Sequence, residues 1–278
     1  HPMVYGNKPT DGGFFIFNEE EKEQFVRNEP LSAPYFHKIL GAKEFLHNEY
    51  RWCLWLKNAS PDILELPLIK ERVELRRQFL LESKAPSTRN FALQHPELFR
   101  QITQPEGCDA ILIPRHSSER RKYIPFGYVV PGIIIGDSCH LIPNATLYDF
   151  AILTSAMHMA WMRTVCGRLE MRYRYSRDLC YNTFPWPTVS EEQKKAVSEL
   201  ADMVLNIRNM YPDKTLAEMY DPDKMPEPLA EAHHNLDMAV DSLYRNTPFE
   251  SDEERLQLLF KLYEKLVAAK NAKEKSHA

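Results

Sequence analysis

Apolar positions recur in three rhythms along the 278-residue chain. Short apolar runs bounded by Pro, Gly or Asn predict strands at residues 13–17, 50–56, 110–113, 123–130, 132–135 and 140–142. Their lengths suit an antiparallel sheet of short strands. Helical spacing at Leu68, Val73, Leu75, Phe79 and Leu80, broken by Glu and Arg pairs, predicts a helix over 68–82, and 19–28 reads as a charged helix start. Residues 145–166 are apolar nearly all round, which predicts a buried helix, with Gly167 as its C-cap. Ser190-Glu-Glu-Gln193 and Ser251-Asp-Glu-Glu254 spell capping boxes for helices to about residues 211 and 270. Another helix covers 226–245, and 271–278 reads as a frayed polar tail.

The pattern changes character after Pro187. Before it, strands and helices mix, and the fold class is α/β in the broad sense, of the α+β kind. After it, only helices are predicted. The expected division is therefore a mixed domain at residues 1–187 and an all-α helical domain at 188–278. Charge follows the same line: 18 acidic and 12 basic residues lie beyond Pro187, whereas 1–187 holds 21 acidic and 23 basic.

Composition narrows the class. Hydrophobic residues at 44% and charged residues at 27% suit a soluble globular protein large enough for a sizeable core. Five scattered cysteines contain no C-x-x-C pair and are odd in number, so a reduced, cytoplasmic setting is expected rather than a disulfide framework. No apolar run reaches the length of a membrane span, and no signal peptide is visible. The start at His1-Pro2 reads as a piece of a longer protein. None of the nine glycines lie two apart, so there is no G-x-G turn, and no Walker loop is present. No cofactor site is expected in this chain.

The richest chemistry lies in residues 161–177. There Arg163, Arg168, Arg172, Arg174 and Arg177 alternate with Trp161, Tyr173 and Tyr175, and Glu170 and Ser176 lie among them. The planar fork of Arg suits phosphates and guanine edges, and Tyr adds flat contact area. On an extended segment Arg172 and Arg174 would share one face, with Tyr173 and Tyr175 on the other. A Glu170 carboxylate on the Arg face would accept from cytosine N4 or orient an Arg, or else pair with Arg168 or Arg172. A second cluster, Arg115-His-Ser-Ser-Glu-Arg-Arg-Lys-Tyr123, places Arg115, Ser117, Ser118, Arg120, Arg121, Lys122 and Tyr123 between two predicted strands, as a loop able to bond phosphate. Both clusters point to nucleic acid. The alternatives are arginines paired with the acidic C-terminal helices, and a solvated hairpin loop.

Three further features carry less. Asp62 with Glu82 and Lys84 matches the P-D…E-x-K spelling of a metal-dependent nuclease, but Glu82 ends a predicted helix and Asp62 follows a turn proline. His158 reads as a core histidine, and His233-His234 lacks a third ligand for zinc. Arg72, Arg76 and Arg77 read as surface partners of Glu71 and Glu74.

Taken in order, several segments resemble one family: Gly6-Asn-Lys-Pro-Thr-Asp-Gly-Gly13, Gly41-Ala-Lys-Glu-Phe45, Arg51-Trp-Cys-Leu-Trp-Leu56, Ser117-Ser-Glu-Arg-Arg-Lys-Tyr123, Cys166-Gly-Arg-Leu-Glu-Met-Arg-Tyr-Arg-Tyr-Ser176, Phe184-Pro-Trp-Pro187, Thr215-Leu-Ala-Glu-Met-Tyr-Asp-Pro222 and Met225-Pro226. They are similar to the C-terminal part of the MmeI-like (type IIG/IIL) restriction–modification DNA methyltransferases, over almost the whole chain. The resemblance implies a target-recognition domain followed by a C-terminal helical domain. It implies a parent that moves a methyl group from S-adenosylmethionine to adenine N6, with Mg²⁺ added where the parent also carries a nuclease domain. Partners would be duplex DNA and the methyltransferase domain of the same polypeptide, in a bacterial cytoplasm, with no membrane. The family's catalytic and cofactor residues have no counterparts here. Asn182-Thr-Phe-Pro185 lacks the adjacent prolines of the Asn-Pro-Pro-Tyr loop that holds a flipped base. The other readings are a non-catalytic interaction module of a cytosolic complex, and a free-standing nuclease using Asp62, Glu82 and Lys84.

Overall fold

The computed structural model describes residues 1–276. In chain order it begins with β1 (Val4–Tyr5), β2 (Ile16–Phe17), α1 (Glu19–Asn28), β3 (Phe36–Leu40), α2 (Ala42–His47), β4 (Arg51–Leu54), α3 (Pro61–Leu64), α4 (Pro67–Leu81) and α5 (Pro86–Gln94). Five strands follow: β5 (Ala110–Pro114), β6 (His116–Ser117), β7 (Gly127–Val129), β8 (Ile134–Ile135) and β9 (Cys139–Pro143). Then come α6 (Leu147–Thr154), α7 (Ala156–Val165), β10 (Gly167–Leu169), β11 (Arg172–Arg174), α8 (Glu191–Asn209), α9 (Leu216–Met219), α10 (Glu227–Ser242) and α11 (Asp252–Ser276). The class is α+β. Among the described residues, no helix is long and apolar enough to cross a membrane.

The chain forms two compact units, and it passes between them more than once. One comprises residues 4–110 and 129–143; the other comprises 1–3, 111–128 and 144–278. The compact units therefore do not divide at 187/188, because the helices after Pro187 pack with what precedes them: α8 and α10 lie on α6, and α10 and α11 lie on α7. A helix apolar on every side needs neighbours on every side.

In the unit of residues 4–110 and 129–143, a sheet runs β2-β4-β3-β8. Its first two pairings are antiparallel, whereas β3 and β8 pair parallel, so the sheet is not purely antiparallel. Phe17, Phe25 and Phe36 meet edge to face at 5.1–5.6 Å and centre a core that includes Leu54, Ile69 and Phe99. Asn18 and Glu21 close a capping box on α1. Arg76 departs from the surface role expected of it: it is fully buried and donates to the carbonyls of Pro9 and Pro96. Arg77 does pair with Glu74, at 2.7 Å. Pro86 at the first turn starts a helix that apolar spacing did not disclose.

In the other unit, the expected single helix over 145–166 is two. Ser155 adopts an extended conformation (φ −77°, ψ 159°) and caps α7 through His158 N–H. The Asp237 carboxylate takes the Ala156 N–H at 2.6 Å, so a residue from α10 supports the break. Gly167 is not the C-cap expected; Cys166 holds that place, in extended conformation. The expected strand at 123–130 shortens to β7, since Pro125 removes a donor. The tail is helical through Ser276; the last two residues of the expected frayed segment lie outside the described residues.

Candidate nucleic-acid interface

The two arginine clusters meet on one sheet. β10 and β11 form a hairpin across the turn residues Glu170 and Met171, and β11 pairs antiparallel with β6, giving the order β10-β11-β6. Tyr173 lies opposite Ser117 and Arg174 opposite His116. The run at 161–177 and the segment at 115–123 are thereby neighbours.

Residues opposite one another in an antiparallel ladder share a face. Gly167 opposes Arg174 and Leu169 opposes Arg172, so these four lie on one face, and Arg168 opposes Tyr173 on the other. β10 is exposed throughout, whereas exposure alternates along β11. Arg172 and Arg174 are exposed, whereas Tyr173 and Tyr175 are buried. The Arg168 guanidinium lies 4.0 Å from the Tyr173 ring centre, and its Nη1 donates to the Met171 carbonyl at 3.2 Å. Glu170 occupies the left-handed region (φ 57°), and its carboxylate accepts from Arg172 at 2.9 Å. The Glu170–Arg172 pairing is thus realised at the tip.

The potential on this sheet is positive. Burial, and then the charges of Arg115, Arg174 and Arg172, hold the His116 imidazole below its ordinary pKa. Beside it, Ser117 is buried. Arg121 is half-buried, and burial lowers its pKa.

Several candidate residues are withdrawn from solvent. Tyr123 is 2% exposed, stacks on His233 at 4.1 Å, and donates its hydroxyl to Asp237 at 2.6 Å. Tyr175 is buried, with its hydroxyl 2.8 Å from His158 Nε2. Ser117, Tyr123 and Tyr175 therefore frame the sheet from behind and offer no surface to a partner. Arg163 bonds Asp252 of α11 at 3.0 Å and the Lys122 carbonyl, and Arg120 bonds Asp223. For these two arginines the pairing with the acidic C-terminal region holds. Ser118 accepts from Arg120 N–H at 3.3 Å, and Ser176 caps the π-helical turn Arg177–Tyr181 by accepting from Leu179 N–H at 3.1 Å. The half-buried Arg115 gives its carbonyl to Tyr175 N–H at 2.8 Å. Lys122 is exposed, 5.0 Å from the Tyr123 ring centre.

Sequence reasoning missed the buried polar line behind this sheet. Arg208 donates to Tyr220 at 2.7 Å and to the Phe126 carbonyl, Tyr220 pairs with His233 at 2.7 Å, and His233 stacks on Tyr123. The only available signal was a His and an Asp on the apolar face of α10. His233 and His158 are core residues, held below the ordinary imidazole pKa by burial.

The nuclease spelling does not assemble. Asp62 sits in the first turn of α3 and Glu82 caps the end of α4, so they do not flank one another on neighbouring strands. Among the described residues, no three His, Cys, Asp or Glu side chains are grouped to hold a metal ion. The Asn182–Pro185 stretch is no open loop either: Phe184 is buried edge-on against His158 at 4.6 Å, and Tyr244 donates to the Pro185 carbonyl at 3.0 Å.

Residues 1–188 match the family model of the MmeI target recognition domain, and residues 189–270 match that of the MmeI C-terminal domain. The chain is 40% identical over 265 residues to DNA methyltransferase A of Bacillus subtilis (strain 168), a match that covers 95% of this chain and 30% of that protein. It is also similar to a solved structure of the Type IIL restriction-modification enzyme MmeI in complex with DNA, with a TM-score of 0.92 and 45% identity over 96% of this chain and 36% of the other. The chain thus spans about a third of the length of each relative.

Proposed function

This chain belongs to the MmeI family, as its target recognition domain and C-terminal domain, and from that premise we propose that it reads a short duplex DNA sequence for a site-specific adenine methyltransferase. The observation that carries the reading is the β10-β11-β6 sheet, which joins both arginine clusters and leaves Arg172 and Arg174 exposed on its hairpin. A two-stranded ribbon fits the major groove, where Arg addresses guanine and Glu addresses cytosine. Arg172 and Arg174 read base edges, and Glu170 orients Arg172 or accepts from cytosine N4. Arg168 and Lys122, both exposed, position the ribbon through phosphates. The relatives, a DNA methyltransferase and an enzyme solved with DNA, support the reading as a DNA-recognition part.

Residues 1–187 would carry recognition and 188–278 would support it. Asp223, Asp237 and Asp252 act as struts for Arg120, Tyr123 and Arg163 respectively. The parent would use S-adenosylmethionine as methyl donor. We place the site for that cofactor on the rest of the polypeptide. No two glycines stand two apart, and in the Asn182–Pro185 stretch Phe184 and Pro185 are buried. The flipped adenine and its methyl donor belong to the rest of the polypeptide.

The test is the methylated motif of the full-length protein carrying Glu170→Lys. A changed base at one position, at a cost of about 1–3 kcal/mol against the original base, is expected. An unchanged motif with a slower rate would make the hairpin a positioning element only.

A further inference from the structure

Gly167 has no reason within the protein to be glycine. It opens β10 and is exposed. Its φ lies outside the left-handed region that Gly12, Gly13, Gly107 and Gly132 occupy. A Cβ built at Gly6, Gly12 or Gly41 would strike neighbours at 2.0, 2.9 or 2.6 Å, but at Gly167 it meets nothing within 4 Å. Glycine weakens a strand, and it also marks places where another molecule's atoms come close to the backbone. Here the backbone needs no glycine and the fold leaves room for a side chain.

The surroundings indicate what approaches. On the same outward face, Gly167 is paired with Arg174, and the next pair is Leu169 with Arg172. Leu169 is 44% exposed, and Met171 in the turn is 68% exposed. Two large apolar side chains thus stand in water beside two outward arginines, around a bare stretch of backbone. Arginine around an apolar centre complements the floor of a DNA groove, with phosphates at its rim and base edges and thymine methyls inside.

We propose that the outward face of β10 is the surface of closest approach to DNA, and that Gly167 is a positioning residue that provides clearance there. The proposal rests on the reading of the hairpin as the DNA-facing element. With no Cβ at 167, the ribbon settles until DNA atoms touch the backbone, which lets Arg174 on the opposite strand reach its base. Leu169 and Met171 exclude water around that contact and so strengthen the hydrogen bonds of the arginines. A side chain at 167 would hold the whole ribbon away.

The experiment uses Gly167→Ala and Gly167→Val in the full-length protein. The probe is a pool of short duplexes with randomised cores, enriched beforehand on the unsubstituted protein. A β-branched residue suits a strand better than glycine does, so Gly167→Val should hold or raise the unfolding midpoint. The same substitution should weaken duplex binding by at least about tenfold, the scale of forcing a methyl group into a filled contact, with Gly167→Ala in between. Opposite signs for stability and binding are the signature. Binding by Gly167→Val equal to that of the unsubstituted protein overturns the proposal, as does a fall in midpoint that tracks the fall in affinity. Arg174→Ala separates the premise from the proposal. If Arg174→Ala binds undiminished, the reading of the hairpin fails. If Arg174→Ala loses binding while Gly167→Val keeps it, only the clearance role fails.

Discussion

Deleting one hydroxyl, in Tyr123→Phe, should loosen the anchor of the 115–123 segment by an amount that depends on pH. The two oxygens of Asp237 accept from Tyr123 and from the Ala156 N–H, each at 2.6 Å. Asp237 is 4% exposed. Burial pushes its carboxyl up to about 6 from the ordinary 3.8, against the pull of these two donors and of Lys122. That difference corresponds to about 3 kcal/mol, the cost of holding this carboxylate charged in the folded protein at neutral pH. The folded state keeps the proton over a range in which the unfolded chain has lost it. Stability from this group therefore rises as pH falls through about 6 and levels off below about 4. The Tyr123 hydroxyl stabilises the charged form. Its removal should cost about 1.5–3 kcal/mol near pH 8, where the acceptor is ionised, and about 1 kcal/mol near pH 5, where it is largely neutral. The ring still stacks on His233, so packing is kept. Guanidinium denaturation of both proteins across this pH range measures the effect, and taking their difference cancels every other titrating group. A loss that stays flat with pH, or that grows on acidification, would refute the assignment of Asp237 as the ionised acceptor.

Three further outcomes are expected. Lys122→Ala should reduce the slope of log affinity against log salt by about one phosphate contact, roughly 0.9, whereas Arg163→Ala should lower the unfolding midpoint and leave the slope alone, because Arg163 is bound to Asp252 and the Lys122 carbonyl; salt titrations of duplex binding that gave the reverse pattern would exchange the two roles. DNA phosphates should relieve the charges of Arg115, Arg174 and Arg172 on His116, so its pKa should rise on binding and affinity should increase as pH falls through the imidazole range; an NMR titration in which the His116 signal ignores DNA would count against contact at this sheet. Arg208→Leu should destabilise by about 1.5–3 kcal/mol, since the buried guanidinium donates to both Tyr220 and the Phe126 carbonyl and its loss leaves them unsatisfied; a loss below about 1 kcal/mol in chemical denaturation would show that the line behind the sheet is not held by this residue.

Part of this protein was legible residue by residue. The period-two alternation at 172–175 put the arginines on one face of a strand and the tyrosines on the other, because which side chains share a face of a strand is a local property of the chain. The Ser190 capping box was legible for the same reason: its two hydrogen bonds lie within three residues. The ordered motifs also carried the family, since spacing and identity survive without coordinates.

Other features depended on partners far along the chain. Nothing near Arg163 or Arg120 distinguishes a guanidinium waiting for DNA from one already bound to Asp252 or Asp223; only the placement of the later helical segments decides that. The break at Ser155 is supported by Asp237, 81 residues away from the amide it accepts from. Tyr123 and Tyr175 look like contact residues in sequence but are buried, because α7 and α10 cover them and satisfy their hydroxyls. Gly167 passed in sequence for a helix cap; the backbone angles and the empty space around it removed that explanation. The sequence by itself determined which side chains share a face and which family the chain resembles, because both are written in spacing. Tertiary structure decided which charges are already spent and which remain exposed, because an ion pair forms with whatever the fold brings within reach, at any distance along the chain.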